Sequence, residues 1–78
     1  MTNMTCPPID PAAVNLRIRS IVAEFDTIAA AAKACDMLPA ALEGYVSGRN
    51  LPGSMALARL CVGLGISADW LLFGLVRP

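Results

Sequence analysis

Seventy-eight residues make one small domain, near the size at which a core must be unusually apolar or a second copy must help. Hydrophobic residues supply 56% of the chain, above the roughly 45–50% of typical globular domains, so apolar surface is left over and a homodimer is expected to bury it. Six basic and six acidic side chains cancel, and the absence of His excludes both an ordinary pH switch near neutrality and a His-completed zinc site.

Residues 1–10 hold two adjacent prolines and no periodic pattern, and read as an extended or flexible N-terminal arm. From Pro11 to Phe25, Val14, Ile18, Ile21, Val22 and Phe25 recur at helical spacing and define one buried face, with Asp10 placed to cap the helix. Arg17 and Arg19 lie off that stripe. They are candidates for phosphate contact or for a solvated face.

The stretch Thr27 to Pro52 reads as a short helix, a tight turn and a second short helix. Asp26 and Thr27 suit a helix start, and the Ala-rich run Ile28 to Cys35 forms helix readily with almost no bulk, so a second helix can pack closely. Asp36 falls where the backbone must turn; Gly usually takes such a place, but Asp tolerates it by bonding locally to the backbone. Pro39 opens the second helix, where its missing N–H costs nothing, and Gly48 ends it. Arg49 to Gly53 form a connecting loop, Ser54 is expected to cap the next helix, and Leu57, Leu60, Cys61 and Leu64 are expected to face inward before Gly65 ends it. Ser67 caps a last short helix with Asp69 in its first turn, and Trp70 and Leu71 close the core. Leu72, Phe73, Leu75 and Val76 are too many apolar side chains for one short helix to bury alone, and they are the expected dimer interface.

The spacing of Ala32, Asp36, Met37, Leu42, Tyr45, Gly48 and Pro52, followed by a hydrophobic helix and the ending ISADWLLFG, resembles the helix-turn-helix domain of Cro-like phage repressors and their bacterial relatives. The resemblance covers Val14 to Gly74. Ala32 matches the small residue where the two helices cross, and Leu42 the branched residue that anchors the recognition helix. It implies an all-α, compact five-helix lambda-repressor-like domain over residues 11–74, with residues 75–78 as a tail. It also implies a small phage or prophage type of transcriptional regulator that binds operator DNA as a dimer.

Side chains near the start of the second motif helix would then meet base edges in the major groove. The expected outward residues are Leu38, Pro39, Ala40, Glu43, Gly44 and Ser47. None is an Arg, Lys, Asn or Gln, the usual bidentate readers of guanine and adenine, and the whole chain contains no Gln. Ile28 occupies the place where many relatives carry a phosphate-binding Gln. Thr27 and the free N–H groups behind it can bind a phosphate, Lys33, Ser47, Arg49 and Asn50 can add backbone contacts, and Pro39 or Ala40 can touch a thymine methyl. Glu43 can accept from cytosine, although a salt bridge with a neighbouring base suits it better. Gly44 in mid-helix costs roughly 1 kcal/mol relative to Ala, and close approach to another group is its expected use. Weak or conditional operator binding follows, because six cations give no strong basic footprint.

The same apolar recognition face supports an alternative, a helix-turn-helix turned toward a protein partner as an antirepressor-like or antitoxin-like module. Met37, Leu38, Pro39, Ala40, Tyr45 and Leu51 would form its surface. An enzyme is not expected: the chain has no nucleophile paired with a base, no paired carboxylates on one helical face and no glycine-rich phosphate loop. Cys6, Cys35 and Cys61 show no metal-ligand spacing, and the latter two read as small core residues. No cofactor, metal or small-molecule ligand is expected. The N-terminus has neither a basic start nor an apolar run, which implies no membrane association and a cytoplasmic location.

Overall fold

A computed structural model describes residues 8–75, which form five helices and, among the described residues, no strand. They are α1 (Pro11–Val22), α2 (Ile28–Ala34), α3 (Pro39–Ser47), α4 (Ser54–Leu64) and α5 (Ala68–Phe73).

Local chemistry explains most of the boundaries. Asp10 Oδ1 accepts from the Ala12 N–H at 3.1 Å, Thr27 Oγ1 from Ala30 at 3.0 Å and Ser67 Oγ from Trp70 at 3.1 Å, so three helices open on side-chain caps. Pro stands in the first turn of α1 and α3. At the other ends, α3, α4 and α5 stop at Gly48, Gly65 and Gly74, all left-handed, with φ of 85°, 68° and 72°.

Two ends differ from expectation. The first helix stops at Val22 instead of reaching Phe25, because Glu24 and Phe25 donate to Ile21 and Val22, three residues back, at 3.0 Å each. Those tighter bonds close the last turn and release the chain, yet Phe25 stays half-buried against the core. Ser54 is the first helical residue of α4, and the cap is Gly53, which has no side chain to offer.

α1 lies against α3 and α5, α2 against α3 and α4, and α4 against α5. The interior is built from Val14, Ile18, Ile21 and Val22 of α1, Ala31 and Ala32 of α2, Leu42, Leu60, Ile66 and Leu71, with Cys35 among them. Full burial of each Leu or Ile side chain contributes about 1.5–3 kcal/mol. Leu57, Cys61, Leu64 and Trp70 are half-buried around this centre. One contact sets how closely α4 crosses the end of α2. A Cβ on Gly63 would lie 2.5 Å from the Ala34 carbonyl oxygen and 2.6 Å from the Cys35 Cα, so the two backbones touch where no side chain fits.

The apolar residues expected at a dimer interface divide. Leu72 packs partly against the core, Phe73 is half-buried and Leu75 is 52% exposed. Val76 lies outside the described residues, as do residues 1–7 of the expected arm, Cys6 included. No described helix is long and apolar enough to cross a membrane.

Candidate nucleic-acid interface

α2 and α3 are joined by a turn whose hydrogen bonds account for its sharpness. The Asp36 N–H donates to the Lys33 carbonyl at 3.1 Å and the Met37 N–H to the Ala32 carbonyl at 3.0 Å, the paired bonds of a Schellman end. Such an end needs a left-handed residue, and Asp36 supplies it at φ 53°, the one non-glycine residue with positive φ among those described. Met37 then folds back onto the core, and the chain re-enters helix through extended Leu38 and Pro39.

The start of α3 stands free of the body. Leu38 is 75% exposed, and Pro39, Ala40, Ala41 and Glu43 are exposed beside it, while Leu42 between them is fully buried. α2 contributes exposed Thr27 and Lys33 to the same motif, and Arg49 is exposed just beyond α3. Between α2, α3 and α4 runs an open groove of about 790 Å³, lined among others by Lys33, Leu38, Pro39, Tyr45, Met55 and Arg59.

Several expected contact residues are occupied elsewhere. Gly44 is buried, not outward: the chain after α3 folds back over it, with the Asn50 N–H donating to the Gly44 carbonyl at 3.2 Å. A Cβ at Gly44 would meet Asn50 Nδ2 at 2.8 Å, so Asn50 is the group whose close approach the glycine permits. Ser47 Oγ donates to the Gly44 carbonyl at 3.2 Å and accepts from the Arg49 N–H at 3.4 Å, which turns that hydroxyl onto its own helix end. Ile28 is half-buried against the core. Thr27 uses its hydroxyl to cap α2.

Both arginines of α1 serve helix ends. Arg17 Nη1 donates to the Leu71 carbonyl at 3.1 Å, and its guanidinium lies so near Gly74 that a Cβ there would be 2.7 Å from Nη2. Arg19 Nη2 donates to the Val46 carbonyl at 3.4 Å. A cation beside the final carbonyls of a helix is favourably placed against its dipole. Arg59 acts similarly on the turn, donating to the Asp36 carbonyl at 3.4 Å.

One polar residue that organises the motif stands outside every expected contact set. Asn15, on the buried face of α1, donates through Nδ2 to the Tyr45 carbonyl at 2.7 Å and to the Asn50 carbonyl at 3.2 Å. Its position directly after Val14 in an otherwise apolar stripe was the available hint. The thiols of Cys35 and Cys61 are pushed above their ordinary value by burial. Compared with known proteins, the chain matches no family model, no curated protein and no solved structure.

Proposed function

We propose that this chain is a small sequence-specific DNA-binding transcriptional regulator of the phage or prophage Cro-repressor type, which binds operator DNA as a dimer through its helix-turn-helix. The observation that carries the reading is the α2–turn–α3 unit. Its Schellman turn at Asp36, its buried crossing at Ala31, Ala32 and Leu42, and the exposed start of α3 at Leu38 to Ala40 suit a helix that enters the major groove by its N-terminal end. Lys33 of α2 and Arg49 after α3, both exposed, supply phosphate contacts. A symmetric dimer would meet half-sites about one helical turn apart. Exposed Leu75 is the best-placed described residue for the dimer contact, and Leu75→Asp is expected to shift the protein toward monomer in sedimentation.

The test is binding to DNA from the gene's own promoter region and to random DNA of equal length at two salt concentrations. Preferential, salt-sensitive binding to the promoter DNA is the expected result, and no binding at low salt by the folded protein overturns the reading. A second reading, a helix-turn-helix used to hold a protein partner with little or no DNA binding, is supported by the groove beside α3. There Leu38 and Met55 are 75% and 71% exposed, which is apolar surface without an internal role.

A further inference from the structure

We infer that base recognition by this domain runs through thymine methyl groups, met by the apolar leading edge Leu38–Pro39–Ala40, with Leu38 as the specificity-determining side chain. The inference rests on the DNA-binding reading and deepens it.

The structure engages several of the polar alternatives elsewhere, and Lys33 and Arg49, which stay exposed, are assigned to phosphates. Arg17 and Arg19 are engaged with the ends of α5 and α3. Ser47 is engaged with Gly44 and Arg49, and the Asn50 amide lies against Gly44 while its backbone is tied on both sides. On α3 itself Glu43 is the one charged side chain, and it is exposed. A carboxylate accepts from cytosine N4 but approaches a field of phosphates at a disadvantage.

What is left at the front of the helix is hydrocarbon. Leu38 is 75% exposed, and its backbone is held by bonds from Ala41 and Leu42 to its carbonyl at 3.0 and 3.2 Å. Pro39 and Ala40 lose almost no side-chain entropy when they are covered. In the major groove the one apolar feature of the base pairs is the C5-methyl of thymine. An exposed, positioned isobutyl group therefore has a single complementary partner there. Its contact would discriminate T·A from the other pairs by desolvation, without a hydrogen bond.

The test begins with duplexes selected from a randomised library by the purified chain. Each selected duplex is remade with deoxyuridine in place of thymidine, position by position, which deletes only the methyl. Affinity is expected to fall about fourfold for each contacted methyl, the equivalent of about 0.8 kcal/mol for one buried carbon. Leu38→Ala, at an exposed site that leaves the fold intact, is expected to bind thymine and uracil duplexes with closer affinities. Equal binding of both duplexes by the wild-type chain overturns the inference while leaving DNA binding in place. Undiminished discrimination by Leu38→Ala overturns the role of Leu38, because an effect of DNA shape alone would survive that change. A library that yields no enriched duplex overturns the DNA-binding reading and this inference with it.

Discussion

Asn15 in α1 holds the far end of α3: its side-chain amide donates 2.7 Å to the Tyr45 carbonyl and 3.2 Å to that of Asn50, thirty and thirty-five residues away. Tyr45 belongs to the last turn of α3, where its carbonyl also accepts from the Gly48 N–H at 3.3 Å, and Asn50 belongs to the loop that leaves it. One nearly buried amide thus ties both carbonyls to α1 and fastens α3 to the body. Asn15→Leu keeps the branched shape but removes both bonds, leaving the Tyr45 carbonyl only its Gly48 N–H, and is expected to lower stability by about 1–3 kcal/mol in urea denaturation. Asn15→Asp should be worse, since it replaces the donor by a charge facing carbonyl oxygens. An Asn15→Leu protein with wild-type stability would mean that water reaches those carbonyls.

Gly63 and Gly44 are both helical glycines near other groups, but what they meet differs. At Gly63 an added Cβ would lie 2.5–2.8 Å from the Ala34 and Cys35 backbones, and helices cannot give way without opening the α2–α4 contact. Gly63→Ala is expected to destabilise by about 1–3 kcal/mol despite its better helix propensity. At Gly44 the near neighbour is the tip of the Asn50 side chain, which can rotate aside. Gly44→Ala is expected to remain within about 1 kcal/mol of wild type, the helix gain offsetting the displaced amide. Denaturation midpoints of the two variants in reverse order would contradict this account.

Asp36 carries φ 53° without being glycine. Left-handed backbone costs an L-residue about 1–2 kcal/mol, moderated in Asp by local hydrogen bonding. Asp36→Gly removes the Cβ contact at the expense of a freer unfolded chain, so the expected net change is between zero and about 1 kcal/mol of stabilisation. Asp36→Val, β-branched in the same backbone, is expected to destabilise. Thermal melts of the pair check the order, and a more stable Val variant would show that the turn had moved.

Burial raises the thiol of Cys35 above its ordinary value of 9.0. The folded state then binds the proton more tightly than the unfolded chain, so this group's contribution is fully present below the unfolded value and is lost as pH rises through the higher folded one. Stability is expected to decline as pH climbs past 9.0, the thiol's ordinary value. In Cys35→Ala, weaker overall, that part of the decline should be shallower. Urea midpoints between neutral and alkaline pH, compared by slope, provide the check; identical slopes would locate the alkaline sensitivity in Cys61 or in other groups.

Arg49 and Arg17 are expected to separate affinity from stability. Arg49 is exposed beyond α3, and Arg49→Ala should weaken DNA binding across sequences and reduce the salt slope by about one. Arg17 spends its guanidinium on the Leu71 carbonyl, and Arg17→Ala should lower stability by about 1 kcal/mol while leaving the salt slope as it was. Unchanged affinity in Arg49→Ala would remove that residue from the contact set.

What the chain determined by itself was whatever depends on neighbours a few residues away. Asp10, Thr27 and Ser67 cap the nitrogens two or three residues on, Pro11 and Pro39 start helices, Gly48, Gly65 and Gly74 stop them, and Asp36 makes the turn. The periodic stripe of α1 likewise identified Val14, Ile18, Ile21 and Val22 as core. Each of these follows from backbone sterics, hydrogen-bond reach or helical period, which act locally. Only the tertiary structure decided the long-range matters. It turned Gly44 inward under Asn50, assigned Arg17 and Arg19 to helix ends 54 and 27 residues away, made Asn15 a clamp and required Gly63 at a helix crossing. Polar side chains and small residues have many possible partners. Which one they receive is set by where packing brings distant backbone, and no local pattern encodes that.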